Sequence, residues 1–266
     1  MPYSPAWLNA LSETERKSLP IRNFSRARHD DGGGHVTWLL WSVQEKDKLT
    51  PLEFRQGSVF FLDCGRGPFA VTAGHVFDQW VRDRAERRIR GYQIGNLGFD
   101  LEERLIDSGA DRKIDIATFR ISPAEIAALG KRVVSGTDGA WPAPPNVGEA
   151  VYFGGFPGAE RIEIAPLEYS FGLHSGMVPL TDFTDHQLGC SFDRRYWVDV
   201  RGQGLPPVGY DLGGVSGGPM LQPVYQDGAW GWRLVGVISE AIMMQEFERI
   251  TAVRAHYILP TGHIGR

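Results

Sequence analysis

The stretch Gly214-Val215-Ser216-Gly217-Gly218-Pro219 places one serine inside a run of turn-forming residues. Glycines on both sides of the Val215-Ser216 pair permit a tight turn in which backbone N–H groups, rather than side chains, face a substrate. The apolar run Leu234–Ile238 follows, so the turn is expected between strands. A serine in such a turn can act as a nucleophile beside donors for an oxyanion, but the same residue types also dominate ordinary β-turns.

A second motif lies upstream, where two apolar runs flank a short turn. Residues 57–63 predict one strand, residues 65–68 a turn, and residues 69–75 a returning strand that ends at His75. Apolar residues then recur at every fourth position among charged ones, which predicts a helix. They are Phe77, Val81, Ala85 and Ile89. A histidine at a strand end, directly after small residues, is a candidate general base.

Asp115 is the candidate carboxylate that would orient such a histidine. It stands between Ile114 and Ile116 in a predicted strand. Burying a carboxylate is costly unless a cation or hydrogen-bond donors meet it. The periodicity therefore leaves two interpretations open, a buried acid facing His75 or a solvent-facing acid on an edge strand.

Together the three motifs resemble those of the trypsin-like (chymotrypsin-fold) serine peptidases. Residues 72–75 are similar to that family's Thr-Ala-Ala-His, residues 115–117 to its Asp-Ile-Ala, and residues 214–219 to its Gly-Asp-Ser-Gly-Gly-Pro. The chain order of His, Asp and Ser is also the family's order. Residues 151–158 resemble the strand that opens the family's second barrel, and residues 234–239 resemble the strand that lines its substrate cleft.

The resemblance implies an all-β fold of two antiparallel six-stranded β-barrels. A short helical N-terminal extension, which the resemblance does not cover, is expected before them. Ser12 and Glu15 form a capping-box pattern for that helix, and the run Asp30–Gly34 is interpreted as a flexible break. Long polar loops are expected at residues 181–195 and 199–212. The predicted divisions are an extension (1–34), a first barrel with His75 and Asp115 (35–134), a Pro- and Gly-rich linker (135–146) and a second barrel with Ser216 (147–266).

The activity that the resemblance implies is hydrolysis of peptide bonds through an acyl-enzyme, without a metal or cofactor. His75 would take the proton of Ser216, and Asp115 would hold the imidazole in the correct tautomer. Ser239 would support Asp115, and the N–H groups of Gly214 and Ser216 would form the oxyanion hole. Val215 replaces the aspartate with which the family's new N-terminus pairs on activation, so activation through that ion pair is not expected.

Four residues are expected to set specificity, again from the resemblance. Tyr210 stands six residues before the nucleophile and would favour small side chains, whereas an inward Asp211 would favour Arg or Lys, the preference expected here. Val237 stands where glutamate-specific members often place a histidine, so a preference for Glu is not expected. Ala241, with Glu240 before it, replaces the family's Trp-Gly, which predicts a more polar substrate groove.

The composition and charge of the 266 residues limit which kinds of partner are expected. A formal charge of −4 gives no reason to expect nucleic acid. The one basic cluster is interpreted as a solvated face of the helix after His75, and it comprises Arg82, Arg84, Arg87, Arg88 and Arg90. The sequence shows neither an apolar run of transmembrane length nor a secretory signal, and Cys64 and Cys190 are expected to be free thiols, which together predict a cytoplasmic protein.

Three function classes remain open from the sequence. The first is a narrow-specificity protease that cuts a protein partner, with bacterial stress or antiviral defence as a setting suggested by analogy. The second is a catalytically silent binding module on a protease fold. The third is an esterase that uses the same three residues. The expected partners are a protein or peptide substrate and a regulatory protein.

Overall fold

The computed structural model describes residues 30–46, 51–109, 114–137, 141–142, 144–193, 199, 204–226, 229–244 and 248–265. The helix predicted after Ser12 lies outside these residues.

The first sheet is antiparallel except for its shortest contact, where β8 runs parallel to β2. Its strand order is β5-β4-β1-β2-β3-β7-β6, with β8 beside β2. The strands are β1 (Val36–Glu45), β2 (Glu53–Asp63), β3 (Phe69–Thr72), β4 (Arg87–Ile94), β5 (Leu97–Gly98), β6 (Leu105–Ser108), β7 (Ala117–Arg120) and β8 (Val134–Ser135). Three helices lie among them, α1 (Gly74–Glu86), α2 (Leu101–Arg104) and α3 (Pro123–Ala128).

Strand β2 shows why its sequence is a continuous apolar run rather than an alternating one. Val59 and Phe61 point into the core of the first sheet. Phe60 and Leu62 point to the opposite face, into a second core that also contains residues of the second sheet. Because both faces of β2 are covered, both sets of side chains are apolar.

The helix predicted after His75 is confirmed as α1, but its predicted apolar face is wrong in part. Val81 is 42% exposed, and Ile89 lies on β4 rather than on the helix. The side chains that α1 buries include Phe77, Trp80 and Asp83. The basic cluster is divided as well, since Arg87, Arg88 and Arg90 belong to β4, where pairing with β1 overrides the helical spacing.

The buried acid of α1 is the centre of a polar network. Asp83 is 2% exposed and accepts hydrogen bonds from Trp41 Nε1 at 2.8 Å and Gln79 Nε2 at 3.1 Å. The guanidinium groups of Arg55 and Arg87 approach its carboxylate to 3.6 and 3.8 Å. A carboxylate this deeply buried requires such partners.

Asp83→Ala is expected to lower the free energy of unfolding by about 2 kcal/mol, because the buried Trp41 N–H and two cations lose their acceptor. The loss is smaller than for a fully buried pair, because the Arg55 and Arg87 side chains are 31% and 30% exposed. Urea unfolding checks the value, with Glu86→Ala on the exposed side of the same helix as the control. Equal stability of the two variants would show that the network contributes nothing.

The run Asp30–Gly34 is not the flexible break that its composition predicts. Residues 30–33 are helical, and Gly32 and Gly33 are buried. Asp31 accepts hydrogen bonds from Arg132 Nη1 at 2.5 Å and from Trp232 Nε1 at 2.7 Å. The segment therefore ties the end of the first sheet to the second. Gly32 is required by packing, since a Cβ there would lie 2.7 Å from the Tyr152 ring.

The second sheet has the order β12-β9-β15-β16-β17-β14-β13 and is antiparallel throughout. A separate hairpin, β10–β11, projects from the connection after β9. The strands are β9 (Ala150–Gly155), β10 (Arg161–Ala165), β11 (Glu168–Phe171), β12 (His174–Pro179), β13 (Asp182–Phe183), β14 (Gln187–Phe192), β15 (Pro219–Gln226), β16 (Ala229–Met243) and β17 (Glu248–Arg254). The polar loop predicted at residues 181–195 is wrong, because β13 and β14 form a hairpin there.

The predicted fold class is confirmed as two successive antiparallel sheets of the chymotrypsin type. The eight and seven strands exceed the predicted six and six only by strands of two residues, which are β5, β8 and β13. The sheets span residues 36–135 and 150–254. The exact division into extension, barrels and linker remains a prediction. Cys64 and Cys190 are free thiols, and burial raises the pKa of both to about 12.

Candidate active site

His75 lies in the first turn of α1, directly after β3, and Asp115 binds it at two points. The backbone N–H of His75 donates to Asp115 Oδ1 at 2.6 Å, and Nδ1 lies 2.9 Å from Oδ2. The first bond also satisfies one of the N–H groups that a helix start leaves free. With Nδ1 donating to the carboxylate, the imidazole presents Nε2 as an acceptor.

Asp115 does not lie in a strand, which corrects the sequence prediction. It is the central residue of a three-residue turn, closed by the bond from Ile116 N to Ile114 O at 2.8 Å, and β7 begins only at Ala117. Ile114 and Ile116 are buried and anchor the turn. The carboxylate itself is 30% exposed, so it is neither the fully buried acid nor the edge-strand acid of the two interpretations.

The hydrogen bond that His75 Nδ1 donates to Asp115 raises the pKa of His75 above its usual value of 6.5, against an opposing effect of desolvation. A raised pKa in the folded state means that this contact stabilises the fold fully below pH 6.5 and loses its effect as the pH rises through the folded value. The ability of His75 to act as a general base depends on pH in the opposite way. Only the neutral imidazole can accept a proton, and this form predominates only above that pKa.

The His75 ring is therefore expected to titrate above pH 6.5 in the wild type and at a lower pH in Asp115→Asn. NMR of the imidazole C–H signals across pH 4–9 measures both midpoints. Asp78→Asn is the control, because Asp78 acts on His75 through charge alone. Identical midpoints in the wild type and Asp115→Asn would contradict the contact.

The turn around Ser216 holds its N–H groups in two different ways. Four of them donate within the protein, those of Gly213 (to Asp211 Oδ1, 2.7 Å), Val215 (to Leu212 O, 3.0 Å), Gly217 (to Ile238 O, 2.8 Å) and Gly218 (to Val215 O, 2.9 Å). Among the described residues, the N–H groups of Gly214 and Ser216 have no acceptor. These are the two donors that the sequence predicts for an oxyanion hole.

Backbone contacts bring this turn against the strand end that carries His75. Ser216 O accepts a hydrogen bond from Ser58 N on β2 at 2.9 Å. A Cβ on Gly217 would lie 2.1 Å from Thr72 Oγ1, and the φ of +87° also requires glycine there. Gly217 therefore packs on Thr72 and Ala73, directly before His75, while Ser216 is bound to the neighbouring strand β2.

The Ser216 hydroxyl is bound to a backbone carbonyl rather than to the imidazole. Its Oγ donates to Ser239 O at 3.4 Å, and among the described residues no hydrogen bond joins it to His75. Hydrogen bonds between catalytic groups are often long or poorly aligned without substrate.

Ser239 does not support Asp115 as the resemblance implies. Its hydroxyl donates to Thr251 O at 3.2 Å, while its carbonyl accepts from Ser216. The cause is an irregularity in β16, where the register with β17 shifts between Ile238 and Glu240. Ser239 lies in this bulge, so its side chain is directed along β17 rather than toward Asp115.

A cavity of about 390 Å³ opens beside His75. Its walls combine Asp115 and Ser239 with the exposed carboxylate of Glu240 and the ring pair His186–Tyr257, which stacks with an angle of 6°. Ile114, Gln187 and Val253 complete the lining. Sequence reasoning missed His186 and Tyr257, because the first fell in an expected loop and the second in a C-terminal run without a motif.

The four predicted specificity residues lie apart from this cavity. Tyr210 is half-buried, donates its hydroxyl to Glu160 and stacks on His174 with ring centres 5.3 Å apart. Burial and the Glu160 carboxylate raise its pKa. Ala241 is half-buried and packs, like Tyr210, on the core of the second sheet.

The positions of Asp211 and Val237 are also described by the structure, and the role of all four residues in specificity stays a prediction. Asp211 is exposed and turned back on its own loop, where it accepts the Gly213 N–H, so it does not point inward. Val237 is fully buried in the core shared by the two sheets, between its strand partners Pro219 and Val253, and does not line a groove.

The described residues contain no cluster of three or more His, Cys, Asp or Glu side chains that could hold a metal ion. No helix among them is both long enough and apolar enough to span a membrane.

No family model matches the sequence, and no curated protein matches it. Solved structures do match. The chain is similar to the thermostable serine protease AL20 from an extremophilic microorganism, with 14% identity, a TM-score of 0.46 and coverage of 83% of this chain and 91% of that one. It is also similar to the protease Anisep from Arthrobacter nicotinovorans (12%, TM-score 0.43, 83% and 90%) and to a Glu endopeptidase (13%, TM-score 0.42, 81% and 85%).

Proposed function

We propose that this protein is a serine endopeptidase whose triad is His75, Asp115 and Ser216. One observation carries the proposal. An imidazole bound at two points by Asp115 lies beside a serine turn in which, within the described part of the chain, the Gly214 and Ser216 N–H groups alone between residues 213 and 218 have no acceptor. Gly214 and Ser216 are both half-buried, so their N–H groups are open to an oxygen of a bound substrate.

The chemistry follows from the atoms in place. Ser216 Oγ loses its proton to His75 Nε2 and forms a bond to the scissile carbonyl carbon. The two free N–H groups bind the resulting oxyanion. His75 then gives the proton to the leaving amine as the C–N bond breaks. Water, deprotonated by His75, releases the acyl group and restores Ser216.

Restraint of this activity is supported by the resting geometry. The hydroxyl of Ser216 is bound to Ser239 O, and the turn contains no acid at Val215 that a new N-terminus could engage. We infer narrow-specificity cleavage of a protein partner in the cytoplasm, where the two free thiols are stable. Bacterial stress or antiviral defence is the setting favoured by analogy.

The substrate class follows from the cavity beside His75. Glu240 is exposed and lines the same cavity as Asp115, and the rings of His186 and Tyr257 form an amphipathic surface. A basic side chain of the substrate is the best fit to these groups. The expected preference for Arg or Lys is therefore retained, with Glu240 instead of Asp211 as the acidic group.

A peptide library that is digested by the wild type and by Ser216→Ala tests the proposal. Mass spectrometry of the products is expected to show cleavage at a small set of sites near basic residues with the wild type alone. Hydrolysis of simple esters without cleavage of any peptide would identify an esterase. Absence of both reactions, with no fluorophosphonate labelling of Ser216, would identify a catalytically silent module.

A further inference from the structure

Ser58 of β2 makes four hydrogen bonds and is completely buried. Its hydroxyl accepts from Phe156 N at 2.9 Å and donates to Gly214 O at 2.7 Å. Its N–H donates to Ser216 O at 2.9 Å, and its carbonyl accepts from Thr72 Oγ1 at 2.7 Å. One residue of the first sheet thus binds two carbonyls of the nucleophile turn in the second.

The backbone carbonyls of all four residues from Gly213 to Ser216 accept hydrogen bonds. Ser58 holds those of Gly214 and Ser216, whereas Gly213 O accepts from Gly158 N at 2.7 Å and Val215 O from Gly218 N at 2.9 Å. Because the C=O and N–H of one trans peptide point in opposite directions, the bond at Gly213 O fixes the Gly214 N–H and the bond at Val215 O fixes the Ser216 N–H. The two free donors are therefore aimed by their carbonyls.

The hydroxyl of Ser58 connects these bonds. It joins Gly214 to Phe156, which lies two residues before Gly158, so the segment that holds Gly213 is held to the same serine. Gly214 has a φ of +104°, and a glycine can adopt backbone conformations that most residues cannot. Contacts with other residues are therefore needed to hold the peptides on both sides of Gly214 in one orientation.

Packing around Ser58 leaves room for its hydroxyl. A Cβ on Gly155 would lie 2.7 Å from Ser58 Oγ and 2.8 Å from Val215 Cα. Val215 is itself fully buried and apolar, so it supplies no charge to the turn. Neutral hydrogen bonds hold the turn instead, and two of them come from Ser58 of the opposite sheet.

We propose that Ser58 is a positioning residue, whose hydroxyl keeps the Gly214 and Ser216 N–H groups aligned for the oxyanion. The proposal rests on the proposed function and concerns how the same site is kept competent. It predicts that Ser58 affects the rate of bond formation at Ser216 but not the affinity with which a reagent binds in the cleft.

The test uses a fluorophosphonate probe on the full chain, with the inactivation rate constant and the apparent probe affinity measured separately. Ser58→Ala and Ser58→Gly are expected to lower the rate constant by about ten- to a hundredfold with an unchanged probe affinity. Ser58→Thr keeps the hydroxyl and is expected within about threefold of the wild type. Ser42→Ala is the matched control, since Ser42 is a buried serine on the adjacent strand β1.

Different results would refute the proposed function and the role of Ser58. A wild type that is not labelled refutes the proposed function itself. A labelled wild type together with a folded Ser58→Ala or Ser58→Gly of the same rate overturns the role of Ser58 alone. An equal loss in Ser42→Ala, or failure of both small variants to fold, would show a structural role for Ser58 and would also overturn the proposal.

Discussion

Ser216→Ala is expected to abolish peptide cleavage and fluorophosphonate labelling, with a loss in kcat of about 10⁶-fold. The covalent step needs the oxygen that this change removes, and no water can take the same position with the same alignment. The fold should be unchanged, because the hydroxyl makes one long hydrogen bond, to Ser239 O at 3.4 Å. The free energy of unfolding should change by less than about 0.5 kcal/mol.

The loss should not grow when the base is removed as well. Because triad members act as one unit, Ser216→Ala combined with His75→Ala is expected to be scarcely worse than either change alone. Active-site titration and single-turnover cleavage measure the three variants, and Ser42→Ala controls for the loss of a serine hydroxyl elsewhere. Appreciable cleavage by Ser216→Ala would place the nucleophile at another residue.

Asp115→Asn is expected to lower kcat by about 10⁴-fold, the size of the effect when the carboxylate of a Ser-His-Asp triad is replaced by an amide. The carboxylate accepts from His75 at both its backbone N–H and its Nδ1. An amide offers one oxygen for these two donors, so the imidazole is free to adopt the wrong tautomer, in which Nε2 carries the proton. In that tautomer, Nε2 cannot accept the proton of the Ser216 hydroxyl.

The matched control for this change is Asp78→Asn, which removes a nearby charge from His75 without breaking a hydrogen bond to it. Its kcat is expected within about threefold of the wild type. The kcat values are compared on the high-pH plateau, where His75 is neutral. A kcat for Asp115→Asn within tenfold of the wild type would show that Asp115 does not orient the base.

Local pattern was sufficient for the framework of this site. Two apolar runs on either side of Gly65–Pro68 predict the hairpin. The spacing of apolar residues among charged ones after His75 predicts α1. Both signals depend on neighbours in sequence, so they survive without knowledge of the tertiary fold. The Gly214–Pro219 turn is predictable for the same reason, since Gly214 and Gly217 have φ values that suit glycine.

Contacts distant in sequence account for what was missed. Arg87–Ile94 forms a strand because β1 pairs with it, although its sequence is rich in arginine. Gln187–Phe192 pairs with β17 although its surroundings in the sequence indicated a polar loop. The bulge at Ser239 depends on the register between β16 and β17, which no single strand encodes. The bonds of Ser58 join it to residues 98 and 156 positions away, so the sequence contained no local signal for them.

Mass spectrometric mapping of a fluorophosphonate adduct establishes whether Ser216 is the nucleophile. After brief exposure of the native protein near pH 8, we expect one phosphonylated residue, Ser216, and no adduct after unfolding in urea. His75→Ala should leave Ser216 unlabelled on the same time scale, because the base that activates it is gone. An unlabelled native protein, or an adduct on any residue other than Ser216, would show that Ser216 is not an activated nucleophile.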